Sequence, residues 1–225
     1  MKYTTLYFDL DNTLLDFSAA ERSAINRLLT RYGIEPKPEY VSIYSEINKK
    51  VWGRFERGEI AREDIFESRF VEFTEVIGAK VDTAKMSSDY FSLLAEGHDC
   101  MPGAKEILEY LKAKNYTVSV TTNGVSKTQH KRIDESGLGK YFDYVFISED
   151  TGYKKPEKAY FDYVINHTLE KDRQKILIIG DSQSSDILGG INAGIDTCWL
   201  NATGETAAYS PTYEIGDISE LGNIL

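Results

Sequence analysis

Five short apolar runs, separated by segments of helical length, limit what this chain can fold into more than any other feature of its sequence. They lie at residues 3–8, 116–121, 144–147, 175–179 and 197–200. All are rich in β-branched and aromatic residues, and none alternates cleanly between polar and apolar positions. A strand with one wet face alternates; a strand that does not is buried on both faces, as in a parallel sheet covered by helices. Strands alternating with helical segments predict βαβ units and an α/β fold with a parallel sheet.

Between the first two runs, roughly residues 15–97, the pattern changes to helices alone. Ser18-Ala19-Ala20-Glu21 reads as a capping box, followed by Ile25, Leu28, Leu29 and Tyr32 at helical spacing and a stop at Gly33. Tyr44, Ile47, Val51, Trp52 and Phe55 continue the period to Gly58, and Phe66, Phe70, Phe73 and Ile77 repeat it to Gly78. A fourth helix holds Tyr90, Phe91 and Leu94. The domain expectation is a sheet core of residues 1–14 and 98–225, with residues 15–97 inserted after strand one as a helical subdomain. Beyond a small, polar stretch at residues 202–211, a last short strand and helix can follow.

Composition then narrows the partners. In the 225 residues, 36 acidic side chains exceed 26 basic ones, a formal charge of −10 that repels nucleic-acid polymers and anionic membranes. No run approaches the ~20 apolar residues needed to cross a bilayer, and no basic flank followed by an apolar run marks the N-terminus. With only Cys100 and Cys198 present, the reading is a reducing, cytoplasmic setting, with a single disulfide left open. Neither a membrane nor a nucleic-acid polymer is expected as partner, and the sequence leaves the oligomeric state open, a monomer being favoured.

Ligands of open parallel sheets bind outside the carboxyl ends of the strands, and the residues there form a pattern. The first run ends in Asp9 and Asp11, the second leads into Thr122-Asn123-Gly124, and the fourth leads into Gly180-Asp181 with Asp186 close behind. A lone strand-end aspartate usually caps the turn after it. Three at strand ends, with Asp186 besides, repel one another unless a cation sits among them, and they form the oxygen-only set that suits Mg²⁺. Thr122-Asn123-Gly124 runs into Ser126-Lys127-Thr128-Gln129, read as a second capping box. The helix N-terminus there is either an anion site or an ordinary strand–turn–helix junction. Lys155, kept extended by Pro156, is either solvated or aimed into the crevice to hold a phosphoryl oxygen. His98, His130 and His167 show no ligand or nucleophile spacing.

These residues resemble the motifs of the haloacid-dehalogenase-like hydrolase superfamily. Asp9-Leu10-Asp11-Asn12-Thr13 is similar to its first motif, Thr122 to its second, Lys155-Pro156 to its third, and Gly180-Asp181 through Asp186 to its fourth. Each motif is weak alone, and four in order are specific. One departure is Asn12, where many members carry Gly. The resemblance implies a Rossmann-like core with a helical cap, and catalysis by Asp9 as nucleophile and Asp11 as general acid and base. It also implies Mg²⁺ held by Asp9, the main-chain carbonyl of Asp11 and Asp181, with Asp186 ordering a bound water or the ligands. Thr122, Asn123, Gly124 and Lys155 would bind the phosphoryl group. Because dehalogenases resemble a pattern without the second carboxylate, Asp11 points to a phosphatase.

The segment 185–194, residues 197–201 and the stretch Asn48-Lys49-Lys50-Val51-Trp52 further resemble the bacterial pyrimidine 5′-nucleotidases of the superfamily. That likeness implies hydrolysis of nucleoside 5′-monophosphates, a small phosphate ester as partner, and Lys49 and Trp52 as candidate contacts to base or sugar. Trp52 can equally pack the cap–core seam. The alternatives are a sugar-phosphate phosphatase or phosphoglucomutase on the same fold, or a non-catalytic regulatory protein.

Overall fold

In the computed structural model, which describes residues 2–225, the chain divides into two compact units. One consists of the residues up to Asp16 together with His98–Leu225, the other of Phe17–Gly97. No helix among the described residues is long and apolar enough to cross a membrane.

The Phe17–Gly97 unit is built of α1 (Phe17–Arg31), α2 (Pro38–Glu56), α3 (Arg62–Ile77) and α4 (Thr83–Leu94). Leu28, Leu29, Tyr44, Val51, Phe70, Phe73, Met86 and Tyr90 meet in its core, which is the helical spacing of the sequence turned into one apolar face per helix. α3 stops where Gly78 takes a left-handed φ of 69°, a conformation that glycine adopts without a steric penalty. The N-terminal expectation for α1 is corrected: the helix already begins at Phe17, so Ser18 lies inside its first turn rather than before it. A buried polar ladder in this unit had no sign in the apolar spacing. Arg69 donates from Nη1 to Asn48 Oδ1 at 2.5 Å, and Asn48 donates from Nδ2 to Glu21 Oε1 at 2.8 Å. The Arg69 guanidinium lies 4.8 Å from the Phe91 ring and 5.0 Å from that of Tyr90, which offsets part of the penalty for burying its charge.

The other unit is a six-stranded sheet in the order β3-β2-β1-β4-β5-β6. Its strands are β1 (Thr5–Phe8), β2 (Thr117–Thr122), β3 (Tyr144–Ile147), β4 (Ile176–Gly180), β5 (Asp196–Leu200) and β6 (Tyr213–Ile215). Every pairing is parallel, as the non-alternating runs require. Both faces are dry. Leu6, Phe8, Leu177 and Ile179 enter one apolar cluster, whereas Tyr7, Ile176 and Ile178 enter another on the opposite side. Each fully buried aliphatic side chain here stabilises the fold by about 1.5–3 kcal/mol. α5 (Ala104–Ala113) leads into β2; α6 (Ser126–Ser136) follows β2, α7 (Ser148–Thr151) and α8 (Lys158–His167) follow β3, and α9 (Leu188–Ala193) follows β4. A π-helical turn at Gln183–Ile187 precedes α9. Cys100 and Cys198 are both free thiols, so the disulfide left open by the sequence is absent.

The register positions the site. Phe8 lies level with Val120 on one side and Ile179 on the other, so Asp9, Thr121 and Gly180 leave the sheet side by side. The strand order reverses between β1 and β4, and that switch point leaves a crevice outside the strand ends. Asn12, in the turn after β1, has a φ of +56°. This is the left-handed region that glycine favours and asparagine tolerates better than most residues, which accounts for the departure at that position.

Candidate active site

Lys155 is the hub of the site. Its side chain is 1% exposed, and Nζ donates to Asp9 Oδ1 at 2.6 Å, to Asp186 Oδ1 at 2.6 Å and to the Thr121 carbonyl at 2.8 Å. An ammonium has three N–H donors, so in this arrangement each has a protein acceptor. The sequence left open whether Lys155 is solvated; it is buried. Its loop is clamped by Asn123: the Lys155 N–H donates to Asn123 Oδ1 and Asn123 Nδ2 donates to the Lys155 carbonyl, both at 2.9 Å. The Lys155–Pro156 peptide is cis.

Asp9, Asp181 and Asp186 each offer a carboxylate oxygen within 4.8 Å of the others. Burial pushes the Asp9 carboxyl well above the usual carboxylate range; Lys155 opposes that, while Asp186, Asp181 and Asp11 add to it. Burial, reinforced by Asp186, pushes Asp181 up to about 7. Burial alone would lower the Lys155 ammonium, but Asp186 and Asp9 outweigh it and hold it above its ordinary value. Two causes act together: burial disfavours charge on the carboxyls, and three carboxyl groups crowd one ammonium, a formal excess of two negative charges when all are ionised. A divalent, oxygen-seeking cation compensates that excess, so the donor set fits Mg²⁺. Both oxygens of Asp186 are engaged, with Lys155 and with the Ser182 N–H at 3.1 Å. Gly180 makes this possible, since a Cβ there would overlap the Asp186 carboxylate. The Asp181 carbonyl accepts from Trp199 Nε1 at 2.9 Å, a tie from β5 that steadies the loop.

Asp11 sits in a different network. Its Oδ1 pairs with Arg132 Nη1, and its Oδ2 accepts from Gln129 Nε2 at 2.7 Å. The same Gln129 nitrogen donates to Thr122 Oγ1 at 3.0 Å, and Thr122 Oγ1 also accepts from the Gly124 N–H at 3.1 Å. The capping box expected at Ser126 is therefore corrected. The N-cap of α6 is Val125, with no side-chain cap, and Gln129 turns to Asp11 and Thr122 instead. The Ser126 N–H at the start of that helix is taken by Glu149 Oε2 at 2.6 Å, so the anion there is one of the chain's own carboxylates.

Sequence reasoning missed Gln129 and Arg132. The signal was present: α6 has a single aliphatic residue, Ile133, so a helix packed on a sheet had to bury polar groups. Thr128, Gln129 and Arg132 are the ones buried. Lys49 and Trp52 lie on α2 of the other unit, Lys49 exposed and Trp52 packed edge-on against Phe55 at 5.8 Å between centroids.

A model of the haloacid dehalogenase-like hydrolase family matches residues 6–200. Two similar chains are named pyrimidine 5′-nucleotidases. YjjG of Escherichia coli is 34% identical over 100% of this chain and 99% of its own length, and PynA of Streptococcus pneumoniae is 36% identical over 98% and 94%. Among solved structures, that of Bacillus subtilis YfnB, described as bound to magnesium, superposes with a TM-score of 0.94 at 39% identity, covering 100% of this chain and 99% of YfnB.

Proposed function

The chain belongs to the haloacid dehalogenase-like hydrolases, and from that membership and the geometry of its site we propose that it hydrolyses nucleoside 5′-monophosphates, pyrimidine nucleotides foremost. The observation that carries this reading is the assembly on Lys155 of Asp9 and an acidic cluster two charges in excess, in a chain similar over its length to two pyrimidine 5′-nucleotidases.

In the first half-reaction a carboxylate oxygen of Asp9 attacks phosphorus as the ester P–O bond breaks, forming an aspartyl phosphate. Asp11 gives its proton to the departing 5′-oxygen. In the second half, water attacks the same phosphorus and yields a proton to Asp11, and the bond to Asp9 breaks to release inorganic phosphate. Asp9, Asp181 and the main-chain carbonyl of Asp11 would hold Mg²⁺. Bound there, the ion would neutralise charge on the phosphoryl oxygens. Lys155 fixes the direction of the Asp9 carboxylate and opposes the effect of burial on it, and the Thr122 hydroxyl grips a phosphoryl oxygen.

The test is phosphate release from a panel containing UMP, dTMP and hexose phosphates, with Mg²⁺ and with EDTA. Fast release from the pyrimidine nucleotides, abolished by EDTA, is expected. No release from either nucleotide beside fast release from a hexose phosphate overturns the nucleotidase reading. Phosphate moved between esters without release would identify a mutase.

A further inference from the structure

Gln129 stands between the two parts of the site that the proposed mechanism uses separately, the acid/base carboxylate of Asp11 and the phosphoryl-gripping hydroxyl of Thr122. Its side chain is 2% exposed, and its amide orientation is forced. The ionised Asp11 carboxylate can only accept, and Arg132 can only donate whatever the state of Asp11. The amide nitrogen must therefore face Asp11 Oδ2, at 2.7 Å, and the amide oxygen must face Arg132 Nη1, at 3.2 Å. With that orientation set, the second amide proton reaches Thr122 Oγ1 at 3.0 Å, and the Gly124 N–H reaches the same oxygen at 3.1 Å.

A threonine hydroxyl has two lone pairs and one proton. With both lone pairs filled by N–H donors, the remaining O–H can act only as a donor, and the group it can meet is an acceptor such as a phosphoryl oxygen. We propose that Gln129, oriented by Arg132, is a positioning residue that commits the Thr122 hydroxyl to donation while holding Asp11 from the same amide nitrogen. This rests on the reading of Asp11 and Thr122 given above. It assigns a role to Gly124 as well, since a Cβ there would overlap the Gln129 carboxamide.

The experiment is a double-mutant cycle of Gln129→Met with Thr122→Val and with Thr122→Ser. It is read by calorimetric binding of inorganic phosphate and by kcat and KM for UMP, with melting curves to establish folding. Gln129→Met should weaken phosphate binding about 3- to 10-fold, the range of a neutral hydrogen bond, and lower kcat about 10- to 100-fold through Asp11. The phosphate effect should persist in the Thr122→Ser background, where the hydroxyl remains, and vanish in the Thr122→Val background, where it is gone; the kcat effect should persist in both. Equal loss of phosphate affinity in the two backgrounds overturns the inference and leaves Gln129 a packing residue. So does an unchanged Gln129→Met protein. Should Gln129→Met not fold, Gly124→Ala displaces the carboxamide without deleting it and is read the same way. Phosphate binding reports the Thr122 arm even if UMP is not a substrate, so failure of the nucleotidase reading is distinguishable; a wild-type protein that does not bind phosphate overturns both.

Discussion

Replacing Lys155 with methionine is the most informative single perturbation of this fold, because one ammonium there offsets several carboxylates. Methionine keeps most of the side-chain volume and removes all three donors, so the Thr121 carbonyl, Asp9 Oδ1 and Asp186 Oδ1 lose their partner together. Removing one member of a buried ion pair typically destabilises by about 3–5 kcal/mol, since the other charge stays buried without compensation. Here two carboxylates are left, with Asp186 wholly buried, which places the variant at the upper end of that range. For a chain of this size each kcal/mol shifts Tm by about 2–4 °C, so Lys155→Met should melt about 10–20 °C below wild type in EDTA. Adding Asp186→Asn removes one orphaned charge and should recover part of the loss. The assay is calorimetric melting of the single and double variants at pH 7.5. A single variant within about 2 °C of wild type would refute the argument that Lys155 is the counter-charge holding the strand ends together.

Gly180→Ala places a Cβ against the Asp186 carboxylate and should destabilise by about 1–3 kcal/mol through overpacking, read as a lower urea midpoint; an unchanged midpoint would mean that Asp186 can shift freely. Asp9→Asn should reduce turnover by at least about 10³-fold with a retained circular-dichroism spectrum, and substantial residual activity would contradict the aspartyl-phosphate route. Alkaline stability follows from burial, which pushes the Cys198 thiol and the Tyr7 phenol each up to about 12. Their folded values exceed the unfolded ones, near 8.5 and 10, so the stabilisation is complete below the unfolded values and is lost as pH climbs towards 12. The urea midpoint should therefore fall progressively above about pH 9, and a flat profile to pH 11.5 would show these groups to be solvated.

Whatever depends on local chemistry is legible in the chain alone. Non-alternating runs such as residues 175–179 state that both faces of a strand are buried, and Asp9, Thr122 and Asp181 stand at strand ends whatever the sheet order is. Whatever depends on which strands become neighbours is settled only by the fold. Asp9 and Asp186 are far apart in the chain, and only the β1–β4 pairing brings both within reach of Lys155. The excess of two negative charges that suits a divalent cation is a sum over that neighbourhood and has no local signature. The same holds for α6. Ser126 and Gln129 have the spacing of a capping box, but Asp11, brought in from a distance, and Arg132, one turn further along the same helix, offer the Gln129 amide charge-assisted partners, and these win over a solvent-exposed cap. Local propensity chose the helix; long-range electrostatics chose what its buried face would hold.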